Sequence, residues 1–90
     1  MAIRFSAHAV RRMDEEQIVT PEVLEALQTG RMIEDYPTDT PYPSRLILGW
    51  VGGRPVHVVT AISAEDTIIV TVYRPNAERW DETFTIRRRR

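Results

Sequence analysis

Residues 45–62 of the 90-residue chain read RLILGWVGGRPVHVVTAI, the most strongly patterned segment of the sequence. Two runs rich in aliphatic and β-branched residues flank Gly52 and Gly53. A pair of glycines supplies the positive φ angles that a two-residue hairpin turn requires. The stretch therefore predicts two antiparallel strands joined by a tight turn.

Further strands are predicted on both sides of this hairpin. TIIVTVYR, residues 67–74, is rich in β-branched residues, as central strands are, and RMIEDY, residues 31–36, is a shorter candidate. Three prolines within seven residues confine PTDTPYP, residues 37–43, to a loop or an extended edge. Residues 75–86 predict a turn and a short extended end.

Two helices are predicted before the strands. The first covers residues 6–17, with Ser6 able to cap its first turn. The second has Thr20 as its expected cap, Pro21 at the first helical position and Gly30 at an expected left-handed stop. A spacing of i, i+3, i+4 and i+7 places four polar residues on one side of the first helix: His8, Arg11, Arg12 and Glu15.

Helices followed by strands predict an α+β fold, a single domain over residues 1–86, with an antiparallel sheet of three to four strands on the helical pair. The central strands are apolar on both sides, and two helices can cover only one side. We expect the other side to be closed by the C-terminal segment, by curvature or by a second copy of the chain.

Composition narrows the classes of function. The absence of cysteine excludes disulfides and thiolate metal sites, and no apolar stretch approaches the ~20 residues that span a bilayer, so we expect a cytoplasmic protein without membrane contact. All twelve basic residues are arginine, and four of them form an expected disordered tail at residues 87–90. Without that tail, eight arginines face thirteen carboxylates, a net charge of −5 that disfavours non-specific nucleic-acid binding.

The chain resembles a bacterial family of unknown function across roughly residues 4 to 84. The segments that carry the resemblance are FSAHAVRRM, TPEVLEAL, RPVHVV and TVYRPNAERWD. That family opens with FSxHAxxRM, carries a PxHVV strand and ends with VYxPxxxxW. It looks like a distant relative of the RelE, ParE and BrnT-type toxins, which implies two helices followed by a curved antiparallel sheet. Some of these toxins cut RNA and others do not, so the resemblance implies a class of possible functions. Glu16 stands where relatives often carry a basic residue, which counts against RNA.

The sequence also supplies groups that could cleave RNA without a metal ion. Such a reaction needs a base for the 2′-hydroxyl proton, cations for the phosphate charge and an acid for the leaving oxygen. The candidates are His8, His57 and Arg12 for catalysis, Arg11, Arg54 and Arg74 for phosphate binding, and Tyr73 and Trp80 for base stacking or an interface. As neighbours in a strand, Tyr73 and Arg74 are expected to point to opposite sides.

Plainer interpretations of these residues stay open. Either histidine could order the fold through hydrogen bonds of its ring nitrogens, and both tryptophans could be core or interface anchors. No third ligand at a recognised spacing joins the two histidines, and no phosphate-binding glycine loop is present. We therefore expect neither a metal nor another cofactor.

Two hypotheses of function follow. One is a metal-independent endoribonuclease of the toxin type, with RNA as its substrate. The other is a non-catalytic protein-interaction or dimerisation module whose histidines and arginines are structural. Expected partners are a second copy of the chain or a cognate antitoxin-like protein. The ribonuclease hypothesis predicts that His8, Arg12 and His57 share one open cleft. The interaction-module hypothesis predicts that these side chains are buried and fully hydrogen-bonded.

Overall fold

The chain folds into two helices and one five-stranded sheet in the computed structural model, which describes residues 2–89. The elements, in chain order, are β1 (Ile3–Phe5), α1 (Ala7–Glu16), α2 (Thr20–Thr29), β2 (Arg31–Tyr36), β3 (Ser44–Val51), β4 (Arg54–Ile62) and β5 (Thr67–Tyr73). Met1 and Arg90, the ends of the predicted domain and of the predicted tail, lie outside the described residues.

The α+β class is confirmed, but the predicted antiparallel sheet of three to four strands is wrong. The sheet has five strands in the order β1-β5-β4-β3-β2, and β1 pairs in parallel with β5. β1 is only three residues long and pairs with the last strand of the chain, so no local pattern indicates it. As predicted, β5 is a central strand, between β1 and β4.

The helix boundaries follow capping chemistry, with small differences from the prediction. Ser6 caps α1 by accepting a hydrogen bond from the backbone amide of Ala9 at 2.9 Å, as expected. The N-cap of α2 is Val19 rather than Thr20, and its amide donates to the carboxylate of Glu22 at 3.0 Å. Because that glutamate satisfies a free amide of the first turn, no hydroxyl cap is needed.

The glycines serve two different purposes. Gly52 and Gly53 have φ angles of 58° and 76°, so the predicted hairpin turn between β3 and β4 is confirmed. Gly30 is not left-handed as predicted, since its φ is −83°. A Cβ at Gly30 would lie 2.6 Å from the carbonyl oxygen of Leu48 on β3, and a Cβ at Gly49 would lie 2.5 Å from the Cα of Ala26 on α2. These two glycines are needed because α2 approaches β3 at backbone distance.

One face of the sheet forms the main core with both helices. β3 and β4 are in a register that pairs Ile47 with Val58 and Gly49 with Val56, which puts these residues on the helical face. The buried members of this core are Ala9, Met13, Ile18, Val23, Ala26, Val56, Val58, Ile69 and Val72.

The opposite face is also apolar, and the C-terminal segment packs against it. Leu48 and His57, paired across β3 and β4, are both buried on this face. The ring of Trp50 meets that of Phe84 at 6.0 Å, and Trp80 is 3% exposed against the His57 ring. We call residues 75–89 the C-terminal strap. The C-terminal segment was one of the three expected ways of covering this second face of the sheet, and the strap does cover the region around His57.

Candidate functional site: an arginine cleft beside a buried histidine

An open cleft of about 430 Å³ lies between α1, the end of β5 and the C-terminal strap. Its charged lining residues are Arg12, Glu16, Arg74, Arg79 and Arg87, and its uncharged ones are Tyr73, Asn76 and Trp80. We call it the arginine cleft. Four guanidinium groups and a single carboxylate therefore line one hollow, although the body of the protein is acidic.

Glu16 ties the helix to the sheet at the floor of this cleft. One of its oxygens accepts hydrogen bonds from the Arg12 guanidinium and from the backbone amide of Arg74, each at 3.2 Å. Arg12 also donates to Glu15 at 3.1 Å, and its side chain is one-third exposed. Because two carboxylates hold its guanidinium, Arg12 is oriented before any ligand arrives.

Arg74 is the most buried arginine among those with an ion-pair partner in the described chain. Its side chain is 17% exposed, and Nη2 lies 3.7 Å from a carboxylate oxygen of Glu22. Nη1 is buried without a hydrogen-bond partner among residues 2–89. A buried donor without an acceptor costs free energy, and an anionic oxygen entering the cleft could satisfy it.

Tyr73 and Arg74 contribute to the same cleft despite the expectation that they point to opposite sides. That expectation is wrong because β5 ends at Tyr73 and Arg74 lies beyond the strand, where the alternation of side chains stops.

His57 lies behind Tyr73 and is completely buried. The register of β4 and β5 pairs the two residues directly. Nε2 of His57 lies 2.8 Å from the carbonyl oxygen of Phe84, and Nδ1 lies 3.2 Å from the Tyr73 hydroxyl. Because a carbonyl can only accept, Nε2 carries the proton, and Nδ1 of the neutral ring accepts from Tyr73.

Burial lowers the pKa of His57 below its ordinary value of 6.5, against the opposing effects of the Phe84 hydrogen bond and the Glu34 charge. The ring is therefore neutral at physiological pH. Burial likewise raises the pKa of Tyr73, so its hydroxyl keeps its proton there.

Trp80 anchors the strap. The centroids of the His57 and Trp80 rings lie 4.5 Å apart with the rings nearly perpendicular, and the Arg87 guanidinium lies 4.6 Å from the Trp80 centroid in a cation–π contact. With 3% of its surface exposed, its ring offers no open face to a nucleic-acid base.

Arg87 holds the strap to β2. Its Nε and Nη2 donate to the two oxygens of Glu34, each at 3.0 Å. Burial acts to raise the pKa of Glu34, but hydrogen bonds from Arg87 and Tyr36 outweigh it and hold that pKa below its usual range. Arg88 donates to the backbone carbonyls of Ala77 and Trp80. These two residues of the predicted tail thus take part in the fold.

The cleft brings together some of the predicted site residues and not others. Arg12, Arg74, Tyr73 and Trp80 line it, and His57 reaches it through Tyr73. His8 and Arg11 are exposed on α1 and Arg54 is exposed after the hairpin turn, and these three are not lining residues.

Four lining residues were not predicted as site residues: Glu16, Asn76, Arg79 and Arg87. Asn76 begins a turn in which its backbone carbonyl accepts from the amides of Arg79 and Trp80, both at 3.0 Å. The available signal was YRPNAERW itself, in which arginines flank a turn that must bring the chain back over the sheet.

Two features are absent from residues 2–89. No group of three His, Asp or Glu side chains is arranged to hold a metal ion. Neither described helix has the length and apolar character that crossing a bilayer requires.

Comparison with known families places the chain. The family described as a domain of unknown function (DUF4258) matches residues 5–74. The chain belongs to this family. The match covers the elements from α1 to β5, including Arg12, Glu16, His57, Tyr73 and Arg74, whereas most of the strap follows it. The predicted membership of a family of unknown function is thus confirmed. The predicted relation of that family to the RelE, ParE and BrnT-type toxins stays a prediction. No curated protein and no solved structure matches.

Proposed function

We propose that this domain binds RNA through the arginine cleft and cuts it there without a metal ion, in the manner of a toxin-type endoribonuclease. The observation that carries the proposal is the lining of the cleft, four arginines against one carboxylate, with Nη1 of Arg74 buried and unpartnered among the described residues. Guanidinium groups match phosphate oxygens in geometry and charge.

Within the cleft the arginines have different roles. Arg12 and Arg74 are held by carboxylates and provide fixed donors for a phosphate, which is the kind of preorganised charge that stabilises a phosphorane-like transition state. Arg79 is exposed and has no carboxylate partner among residues 2–89. It is the cation most available for an incoming phosphate.

The cleft binds the sugar–phosphate backbone of the RNA rather than its bases. Trp80 is buried beneath Arg87 and His57, so it strengthens the wall of the cleft instead of stacking a base. Phosphate contacts of this type carry little sequence information. We therefore expect weak sequence preference and strong dependence of binding on salt concentration.

Binding can be tested with a short labelled single-stranded RNA titrated at several salt concentrations. Arg79→Ala should weaken binding and reduce the slope of log K against log salt by about 0.7, the value for one phosphate contact on a single strand. Arg45→Ala is the matched control, because Arg45 is exposed on β3 and is not a lining residue of the cleft. Equal effects of the two substitutions would contradict the proposal.

Cleavage can be tested in cells and in vitro. Induced expression of the wild type should arrest growth, and Arg12→Ala should relieve the arrest while protein levels stay equal. His8→Ala should still arrest growth, because His8 is exposed on α1 and does not line the cleft. Purified wild type should cut the RNA in the presence of a chelator. If the wild type neither arrests growth nor cuts RNA, the proposed ribonuclease activity is refuted.

The second candidate is a non-catalytic interaction module. It is favoured by the complete burial of His57 with both ring nitrogens hydrogen-bonded, and by the glutamates that pair with Arg12, Arg74 and Arg87. Exposed apolar side chains, Leu24, Met32 and Trp50 among them, would provide contacts to a second copy or to an antitoxin-like partner. This module predicts a stable assembly in light scattering and no RNA cleavage.

A further inference from the structure

A single hydrogen bond connects the buried histidine to the arginine cleft. His57 is completely buried, and its Nε2 is occupied by the Phe84 carbonyl. Its Nδ1 accepts from the Tyr73 hydroxyl at 3.2 Å, and Tyr73 lines the cleft. Phe84 belongs to the strap, so the strap fixes the ring in the tautomer that leaves Nδ1 unprotonated.

We propose that Tyr73 takes the 2′-hydroxyl proton of a bound RNA while passing its own proton to Nδ1 of His57. This proposal rests on the proposed function, because it needs RNA in the arginine cleft. Tyr73 is then the catalytic residue, and His57 is a positioning residue that acts through it and stores the proton.

The step balances in atoms and charge. The 2′-oxygen forms a bond to phosphorus as its proton moves to the Tyr73 oxygen, and the tyrosine proton moves to His57. The bond from phosphorus to the 5′-oxygen breaks, and a solvent water protonates the leaving oxygen. The products are a 2′,3′-cyclic phosphate and a 5′-hydroxyl. His57 then returns its proton through Tyr73 to the hydroxide that the water leaves behind.

The surroundings suit a transfer in which no phenolate accumulates. Tyr73 is half-buried, and burial raises its pKa, so it would not ionise by itself. Once protonated, His57 keeps its hydrogen bond to Phe84, and the carboxylate of Glu34 stabilises the positive ring while Arg87 opposes it. A neutral, hydrogen-bonded imidazole is thus available as the final acceptor.

Two substitutions of His57 separate proton transfer from orientation. In His57→Asn, the amide oxygen can take the place of Nδ1 and still accept from Tyr73, but it cannot take a proton. In His57→Gln, the amide nitrogen can take the place of Nε2 and still donate to Phe84. Tyr73→Phe keeps the ring and removes only the hydroxyl, which makes it the least disruptive variant for folding.

The experiment measures single-turnover cleavage of a saturating single-stranded RNA, with RNA affinity and thermal melting measured in parallel. We expect each of the three variants to bind RNA as the wild type does and to cut it about 100-fold more slowly or worse, the usual contribution of general base catalysis. The double variant Tyr73→Phe/His57→Asn should be no slower than either single one. An RNA with a 2′-deoxy linkage at the cut position should bind and stay intact.

The pH profile adds a readout that orientation alone would not change. The wild-type rate should rise with pH through an apparent pKa below 6.5 and then level off, as His57 loses its proton. The titratable groups that act on this ring do not titrate near its pKa: burial raises the pKa of Tyr73, against burial the hydrogen bonds from Arg87 and Tyr36 hold the pKa of Glu34 below its usual range, and the Glu34 hydrogen bond raises the pKa of Arg87. His57→Asn should lose the inflection.

The possible results discriminate between the two proposals. If His57→Asn or His57→Gln cuts at the wild-type rate, the proton relay is overturned and the ribonuclease stands. If the wild type binds RNA without cutting it, both cleavage and the relay are overturned. If the wild type cuts and leaves products other than a cyclic phosphate with a 5′-hydroxyl, the relay alone fails.

Discussion

Acidification from about pH 7.5 to about pH 5.5 should destabilise this domain through His57. The unfolded ring binds a proton with a pKa near 6.5, whereas burial lowers the pKa of the folded ring. In the window between these two values the unfolded state holds more protons. The stabilisation is therefore complete above about pH 6.5 and is lost as the pH falls toward the folded pKa.

The size of the effect follows from linkage. One proton contributes at most about 1.4 kcal/mol per pH unit, so the loss between pH 6.5 and 5.5 is up to about 1.4 kcal/mol. A chain of this length is stable by about 5 to 13 kcal/mol, so the loss is a measurable fraction of the total. Glu34 does not contribute in this window, because its pKa lies below its usual range and its loss comes at lower pH.

Urea unfolding followed by tryptophan fluorescence at a series of pH values measures this loss directly. His57→Gln should remove the slope between pH 7.5 and 5.5, and His8→Ala, which changes an exposed histidine, should retain it. A wild-type stability that stays constant over this range, or a slope that survives in His57→Gln, would refute the assignment of His57 as a buried neutral base.

Three further predictions concern the elements that hold the site. Trp80→Ala should cost about 3 to 5 kcal/mol in chemical denaturation, because a buried anchor of the strap is lost; a cost below about 1 kcal/mol would show that the strap packs loosely. Gly49→Ala should cost about 1 to 3 kcal/mol, because the new Cβ meets Ala26 at 2.5 Å; an unchanged melting temperature would contradict this close approach. Glu34→Gln should cost no more than about 1 kcal/mol, since Arg87 is largely exposed, and the difference from wild type should shrink at high salt; a salt-independent loss would point to packing instead.

The parts of the fold that were predicted correctly are those with local causes. Ser6 caps its own helix, and Gly52 and Gly53 form their own turn, so a few neighbouring residues suffice to identify each. β1 has no such cause, because a three-residue strand is stabilised by pairing with β5 at the other end of the chain. Gly30 illustrates a different failure: a glycine after a helix predicts a left-handed stop, whereas here the approach of α2 to β3 requires it.

The candidate site was only partly predictable for the same reason. Arg12, Arg74 and Tyr73 were identified by residue type, and a turn was predicted from residue 75. The predicted strand nevertheless included Arg74, so the position of its side chain in the cleft was not predicted. Arg79 and Arg87 enter through the strap, whose path is set by an uncovered apolar face and by contacts with His57 and β2. Burial of His57 likewise depends on that path, so its neutral state could not be read from the strand alone.

The net charge of −5 outside residues 87–90, which disfavours RNA binding by the protein as a whole, is unevenly distributed over the surface. At physiological salt, an exposed charge acts over about 8 Å, so a phosphate in the cleft responds to the groups around it rather than to the whole surface. Glu65 and Asp66 line another hollow near β1, and Asp35 and Asp39 line a third beside the proline-rich loop. In the arginine cleft Glu16 is the single lining carboxylate, but Glu15, Glu22 and Glu34 also pair with Arg12, Arg74 and Arg87. Arg79 is the lining arginine without a carboxylate partner among residues 2–89. If an incoming phosphate is attracted by Arg79 and by Nη1 of Arg74, which is unpartnered among the same residues, raising the salt concentration should weaken RNA binding steadily. Binding that strengthens with salt would show instead that the acidic surface governs the encounter.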